Sequence, residues 1–407
     1  MGIVRRMLAF TGIYPDTGFE VASASGRMGS DMSRANICVD AETAMRFAAF
    51  FACARILASS IASLSLPLYE RIEGGTRRTA SEHPLYAVLH DAPNADQTTV
   101  DYFEQMVLGL LLAGDHFALK HRGTSGQLVA LEPIKGRVTV GRGDRGQRLY
   151  RWHEGSSEVE KTEDDVFHVM GFGGGPLRGL SVLGAARETL GLGIAADRSA
   201  AGMFRNGMRP SGTINYDKFL DEEQYESVKQ RIADHFTGAD NHGRPFILEG
   251  GFKWGAVQMN ADDAQLLESR KFSIEEICRF FGVPPFMIGH SEKSTSWGTG
   301  IEQQLLGFQK FTLGPWLKRI EKAIGRQLLK PEERKRFFAE FNLESLLRAD
   351  TAARSTFYKE MTGIGAMTVN EVRAKENLPP IEGGEVARIQ MQNVPLTDAG
   401  KGVTTNV

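Results

Sequence analysis

The 407-residue sequence predicts an α+β protein with more than one packing unit, in which two helical stretches bracket a small β-α-β-β module. Length is the first reason, because a single compact core seldom serves a chain of this size. The second is a change of hydrophobic period: helical spacing up to Gly114, short strand-like runs between Asp115 and Met170, and helical spacing again after Ser181. The third is composition. With 48 Lys and Arg against 50 Asp and Glu, 42% hydrophobic and 24% charged residues, the chain has the balance of an ordered protein. Its near-neutral charge argues against tight gripping of nucleic acid, since that affinity comes mainly from cations neutralising phosphates.

Residues 1 to about 40 are rich in Gly, Ser and Asp without a sustained period, which predicts a flexible arm. From Ala41 to Ala62 the residues Phe47, Phe50, Phe51, Ile56 and Leu57 recur at helical spacing; Leu64, Leu66 and Leu68 then alternate as in a strand, turned back at Gly74-Gly75. The apolar stretch Met45 to Leu68 contains Arg46 and Arg55 and falls short of the roughly 20 uninterrupted apolar residues a bilayer span needs. The run after Arg5 and Arg6 is too short and broken for a signal peptide, so no export is expected. His83-Pro84 opens a short helix, and Val100 to Leu112 forms a strongly apolar one closed by Gly114. Runs such as His116 to His121, Arg137 to Val140 and Val166 to Met170 then suggest a β-rich unit.

Beyond the glycine cluster Gly171, Gly173, Gly174, Gly175 and Gly179, a helix runs from Ser181 to Asn206. It contains Gly191, Gly193 and Gly202 among many alanines. Interior glycines cost a helix about 1 kcal/mol each, so close packing against neighbours is expected to sustain it. The module that follows has a strand around Gly212 to Tyr216, a helix opened by Asp221 and running to His235, and two β runs, Pro245 to Glu249 and Phe252 to Met259. A second helix, Asp262 to Phe281, stops at Gly282 and Pro284-Pro285. A polar loop from His290 to Gly298 leads into a long helix, Ile301 to Leu329, that Pro315 should kink. Phe337 to Leu343 is strand-like, the chain is helical again to about Leu378, and Pro379-Pro380 begins a polar tail.

The residues do not spell an enzyme. GxxxxGK[ST], HExxH, GxSxG and paired CxxC are all missing, and the glycine cluster lacks the Lys-Ser/Thr ending of a phosphate loop, which makes it a flexible hinge and not a nucleotide site. Cys38, Cys53 and Cys278 are far apart and odd in number, suggesting neither a disulfide framework nor zinc, and suiting a reducing cytoplasm. The histidines are scattered singly; His235 and His242 read as turn residues. Asp221-Glu222-Glu223 and Asp262-Asp263 sit at helix starts, where carboxylates offset the helix dipole. The cationic stretch Lys318, Arg319, Lys322, Arg326, Lys330, Arg334, Lys335 and Arg336 is interleaved with Glu321, Glu332 and Glu333, which favours a solvated face or subunit contact over a phosphate-binding stripe.

Several ordered strings resemble the portal (connector) protein family of long-tailed bacteriophages and gene transfer agents. They are Phe246-Ile247-Leu248-Glu249-Gly250-Gly251-Phe252-Lys253-Trp254, Asp263-Ala264-Gln265-Leu266-Leu267-Glu268-Ser269-Arg270 and Phe281-Gly282-Val283-Pro284-Pro285-Phe286-Met287-Ile288-Gly289. Further similarity lies in Ile301-Glu302-Gln303-Gln304, Glu340-Phe341-Asn342-Leu343, Leu346-Leu347-Arg348-Ala349-Asp350, Thr368-Val369-Asn370-Glu371-Val372-Arg373 and Leu378-Pro379-Pro380. Together they span roughly Ala41 to Gly384.

The resemblance implies a portal fold: an α/β wing at 41–180 and 301–344, a two-helix stem at 181–206 and 261–284, a β-α-β-β clip at 207–260, a tunnel loop at 285–300 and a helical crown at 345–385. A flexible arm, 1–40, and tail, 386–407, lie outside it. It also implies a non-enzymatic ring of about twelve copies at a capsid vertex of the virion, assembled in the bacterial host cytoplasm without cofactor, metal or membrane. Implied partners are transient, non-specific double-stranded DNA, the terminase large subunit, a head-completion adaptor and the major capsid protein. DNA would meet the tunnel loop His290, Ser291, Glu292, Lys293, Ser294, Thr295, Ser296 and Trp297. Terminase or adaptor would meet the clip at Tyr216, Asp217, Lys218, Asp240, Asn241, His242 and Arg244. A ring-shaped DNA translocase and a neck adaptor are the alternatives; the first lacks the phosphate-holding lysine and hydroxyl, and adaptors are usually much shorter.

Overall fold

The computed structural model describes residues 32–72, 76–205, 213–215, 221–227, 230, 253–255, 262–290, 299–343, 351–376 and 378–387. The chain mixes helices and strands and divides into two compact units, Met1–Phe341 and Asn342–Val407.

In the first unit, residues 32–40 are docked and do not behave as the flexible arm expected there. Met32 bridges Cys38, Val39 is fully buried, and the Arg34 amide donates to Glu188 at 3.0 Å. The apolar Ile37 and Val39 supply the reason, since burying them draws this end of the segment into the core. Helix α1 (Ala41–Arg46) is capped by Asp40, whose carboxylate accepts from the Thr43 amide at 2.7 Å. The chain turns extended at Phe47 (φ −79°, ψ 116°) before α2 (Ala48–Ala62), so the single expected helix is two. The break lets the Phe47 ring occupy space beside Gly193, where an added Cβ would lie 3.0 Å from Phe47 Cζ.

Helix α2 buries Phe50, Cys53, Ala54, Leu57 and Ile61 along one face. It packs against α4 (Thr99–Ala113) and α6 (Asp262–Phe281), with the Phe50 and Phe281 rings edge to face at 4.9 Å. Phe50, Leu57 and Ile61, removed from water, each contribute about 1.5–3 kcal/mol. Short α3 (Pro84–His90) starts where the His83 ring accepts from the Leu85 amide. Helix α4 begins with a Thr98–Asp101 capping box and ends at Gly114, whose φ of 83° favours glycine. Among the described residues no helix is long and apolar enough to cross a membrane.

Three antiparallel sheets complete this core. Strand β1 (Leu68–Arg71) lies between β2 (Arg77–Thr79) and β11 (Phe337–Ala339), pairing Leu68 with Ala339 and Tyr69 with Thr79. Leu64 and Leu66 are buried but precede the ladder, which starts only after Pro67. The second sheet places β3 (Asp115–Arg122) between β4 (Leu128–Pro133) and β8 (Val166–Met170). The third is the meander β5 (Thr139–Arg142), β6 (Arg148–Glu154) and β7 (Ser157–Thr162). Phe117, Tyr150, Trp152, Val140 and Val166 join the last two sheets in one apolar cluster.

At the edge of that cluster Asp115 is completely buried and accepts three hydrogen bonds: from His168 Nε2 at 2.9 Å, Arg178 Nε at 2.9 Å and the Gly179 amide at 2.8 Å. Because a carboxylate can only accept, His168 carries its hydrogen on Nε2 and its Nδ1 accepts from the Tyr150 hydroxyl at 3.3 Å. Burial holds His168 below the ordinary imidazole range, against the opposing pull of Asp115. Burial, helped by His168, likewise presses His116 down to about 3.

In the second unit, α9 (Thr351–Gly363) and α10 (Val369–Lys375) are separated by a turn with Gly365 at φ 72°, so the helical stretch expected to run to Leu378 is interrupted. Tyr358 donates to Glu376 at 2.8 Å, Arg354 stands 3.3 Å from the same carboxylate, and Asn370 exchanges two 2.9 Å hydrogen bonds with Ile381.

Replacing Asp115 by Ala should lower unfolding free energy by about 3–5 kcal/mol, because it removes the one buried carboxylate on which His168, Arg178 and the Gly179 amide all converge. A loss below about 1 kcal/mol in urea titration contradicts this account. The buried histidines set a pH dependence with a definite sign. An unfolded chain takes up a proton near pH 6.5 that native His116 refuses, so stability is full above that pH and falls by about 1.4 kcal/mol per unit as pH drops towards 3. Melting temperatures from pH 7.5 to 5 should decline less steeply in His116→Gln, by about one proton's worth of slope.

Candidate functional site

The segments singled out by the sequence converge on a helix pair and what it carries. Helix α5 (Val182–Arg205) starts at Ser181, whose hydroxyl accepts from the Gly184 amide at 2.9 Å and donates to the Leu112 carbonyl at 2.7 Å. This ties the helix start to the end of α4. Of the preceding glycines, Gly171 and Gly179 are held against Gly114. Gly171 donates to the Gly114 carbonyl at 2.7 Å, and a Cβ on Gly179 would stand 2.2 Å from the same oxygen, so the two segments touch backbone to backbone.

Helices α5 and α6 pack along each other, as the small residues of α5 anticipate. Beside the Phe47 contact, a Cβ on Gly193 would lie 3.6 Å from Ser273 Cβ of α6, and Thr189 donates to Glu276 at 3.2 Å. Gly191 adjoins Ser33 at a distance no Cβ could share, whereas Gly202 faces open space. Between the pair, β9 (Thr213–Asn215) and β10 (Lys253–Gly255) are antiparallel, with Ile214 opposite Trp254. Residues 222–227 are helical, and Asp221 caps them by accepting from the Gln224 amide at 2.8 Å. The predicted strand Pro245 to Glu249 and the clip residues Tyr216, Asp217, Lys218, Asp240, Asn241, His242 and Arg244 lie outside the described residues.

Helix α6 ends at Gly282 (φ 66°), whose carbonyl accepts from Thr312 at 2.7 Å. A 3-10 turn, Pro285–Ile288, and Gly289 (φ 82°) bring the chain to His290, which sits 3.9 Å from Glu275. Of the predicted tunnel-loop residues, Ser291, Glu292, Lys293, Ser294, Thr295, Ser296 and Trp297 lie outside the described residues. The chain resumes in α7 (Thr299–Gly307), a π-helical segment (Phe308–Leu313) and α8 (Gly314–Gln327). The expected long helix is thus present as one continuous helical run from Thr299 to Gln327, and its irregularity beside Pro315 takes the form of a π-helical segment. The Gly314 amide reaches back five residues to Gln309, a widened turn that precedes a proline unable to donate to its own turn. An apolar groove of about 410 Å³, lined by Val283, Pro285, Phe308 and Phe311, lies where this segment meets the end of α6.

Tertiary packing also assembles what sequence distance concealed. Cys53 and Cys278, 225 residues apart, are free thiols with sulfurs 3.9 Å from each other. The cationic stretch divides by direction. Lys318 pairs with Glu321 at 2.7 Å, Glu321 also accepts from the Phe341 amide at 3.1 Å, and Arg336 pairs with Glu70. By contrast Arg319, Lys322, Arg326, Lys330 and Arg334 line a cavity of about 700 Å³. The facing wall carries Lys120, Arg122, Arg148 and Arg178. Desolvation, reinforced by Arg122, lowers Lys120 to about 8 even though Asp164, Asp165 and Glu163 act the other way. Half-buried Arg319 apart, this half of the stretch is solvent-exposed, as a solvated face requires, but Glu321, Glu332 and Glu333 are not in the cavity lining, so the stretch presents only cations to it. A run of cations at i, i+3 and i+7 was the available signal.

A family model described as phage portal protein matches residues 48–377. The chain is 34% identical to the portal protein of Enterobacteria phage HK97 over 95% of its own length and 91% of that protein's. It is likewise 34% identical to a probable portal protein of Streptomyces phage phiC31, covering 84% of this chain and 76% of that one. Among solved structures it resembles a chain from the neck of an empty gene transfer agent particle computed with C6 symmetry, at a TM-score of 0.60, 24% identity and coverage of 88% and 98%. An HK97-family phage portal protein from Corynebacterium diphtheriae aligns at a TM-score of 0.57, 17% identity and coverage of 78% and 100%.

Two glycines of α5 should respond in opposite directions. Gly193→Val must displace Phe47 and is expected to cost about 1–3 kcal/mol. Gly202→Ala, meeting open space, should add about 0.5–1 kcal/mol. Thermal unfolding of both variants checks the pair; equal shifts contradict the packing account.

Proposed function

The chain belongs to the phage portal protein family, and from that premise we propose that it forms a closed ring of about twelve copies at a capsid vertex, through which DNA enters and leaves. In this reading α5 and α6 are the stem, and the β9–β10 module between them is the clip that meets the terminase large subunit and later a head-completion adaptor. Residues 41–180 and 301–344 form the wing, 285–300 the tunnel loop, and 345–385 a crown. The role is structural and needs no bound cofactor. DNA contact along the channel is transient and without base readout, which suits a polar Ser/Thr-rich loop with Lys293 beside Glu292.

The observation that carries the reading is the helix pair. Two helices that pack along each other, with an antiparallel ladder joining residues 213–215 to 253–255 in the stretch of sequence between them, form a self-contained strut. Repeated around an axis by a heterologous interface, such struts close a wall around a hole.

Electron microscopy of the purified full chain, with sizing by light scattering, should reveal rings whose hole admits a B-form duplex. Chains that stay monomeric under every assembly condition overturn the proposal. Replacing Ser291 to Ser296 by glycine should leave ring formation intact while altering DNA packaging or retention in particles; unchanged packaging and retention remove the loop from the mechanism.

A further inference from the structure

The cavity between α8 and the β3–β8 region concentrates charge in a way the portal reading does not use. Nine Lys and Arg line its roughly 700 Å³, against two carboxylates, Glu163 and Asp164. Among the described residues Arg178 is the only one of the nine with a carboxylate within 4.0 Å. Like charges this close repel, and a chain of net charge −2 is under no compositional pressure to gather them.

We propose that this cleft binds the phosphodiester backbone of DNA, holding one strand of a duplex across its mouth. The proposal rests on the channel reading only for the presence of DNA, and not on ring closure or on the tunnel loop.

Geometry supports a run of phosphates over a single anion. Arg319, Lys322, Arg326 and Lys330 follow one another at three- and four-residue intervals from α8 into the turn after it. From Arg319 to Arg326 the helix rises about 10 Å, enough to span about three phosphates of one strand, which carries one charge per about 3.4 Å of axis. Lys322, Arg326 and Lys330 are exposed at the mouth, while Lys120, Arg148 and Arg319 are half-buried behind them. Gly173, Gly174 and Gly175 form part of the lining without side chains, so a backbone can approach closely. Six of the nine cations are arginines, whose planar fork suits phosphate oxygens.

An acidic peptide is the rival occupant. An extended chain offers at most one carboxylate per roughly 3.3 Å, similar to the one phosphate per about 3.4 Å of axis along the single strand held here, so the choice of DNA rests on the arginine forks, which suit phosphate oxygens, and on the glycine lining, which admits a close backbone.

The test uses the full-length protein and a labelled 20-base-pair duplex, with binding read by fluorescence anisotropy between 50 and 200 mM NaCl. In the variant Lys322→Ala/Arg326→Ala/Lys330→Ala, the slope of log affinity against log salt should shrink by about 0.9 per cation removed, and affinity at the low-salt end should fall at least about tenfold. Arg122→Ala, on the opposite wall, should move both in the same direction; Lys335→Ala, an exposed cation outside the lining, should move neither. An unchanged slope in the triple variant, no binding by the wild type, or displacement of duplex by poly-glutamate as effectively as by unlabelled duplex of equal charge would each overturn the proposal. Because the substituted cations are exposed, circular dichroism should be unaltered. Rings formed by the triple variant separate failure here from failure of the portal reading.

Discussion

The first unit is organised around the buried carboxylate of Asp115. It opens strand β3 immediately after the α4 cap at Gly114, and its hydrogen bonds reach β8 through His168 and the glycine-rich segment through Arg178 and Gly179. A charge removed from water must be compensated on every side, or its burial costs several kcal/mol. Three donors at 2.8–2.9 Å supply that compensation and leave little room for alternative arrangements. The same node fixes the point from which α5 departs, because Gly179 and Ser181 are anchored in consecutive contacts to the α4–β3 junction. The direction of α5 is thus set by hydrogen bonding within the β-rich unit. Gln327 extends the network: its side-chain amide exchanges hydrogen bonds with the His168 backbone at 2.9 and 2.7 Å, tying the end of α8 to β8.

Charge is arranged with similar economy. Glu70, Glu321 and Glu340 occupy the seams between β1, β11 and α8, where each meets a cation or a backbone amide. The Arg78 and Arg336 guanidinium groups hold Glu70 below the usual carboxylate range. With the acids committed to these seams, the remaining cations of α8 are left facing the cavity. A chain that is neutral overall therefore carries a strongly basic concavity, and the argument from net charge against DNA gripping applies to the average surface and not to this cleft. The two observations divide the labour proposed for this portal subunit: a polar, weakly charged loop where DNA must slide, and a cationic cleft where DNA is held.

Much of the fold was legible in the residues. The helix and strand periods, the glycine and proline stops and the capping residues are local signals, and Thr98, Gly114, Asp221 and Gly282 occupy the roles their types predict. The family strings were legible for the same reason: each is contiguous. Misreadings arose where a distant partner intervened. The break at Phe47 exists because Gly193, on another helix, leaves room for the ring. The docking of residues 32–40 depends on burial of Ile37 and Val39. The glycine cluster looked flexible in isolation, but backbone contact with Gly114 holds its two ends, Gly171 and Gly179.

The sequence by itself determined the α+β class, the helix pair around a small β module, and portal family membership, because hydrophobic period, turn residues and contiguous motifs need no knowledge of what lies across the core. Only the tertiary structure decided which cations of 318–336 are neutralised and which face the cleft, that Cys53 and Cys278 meet, and that a buried carboxylate anchors the start of α5. These depend on the directions side chains take once helices and sheets have packed. A linear pattern of charges carries no information about which of them will share a cavity.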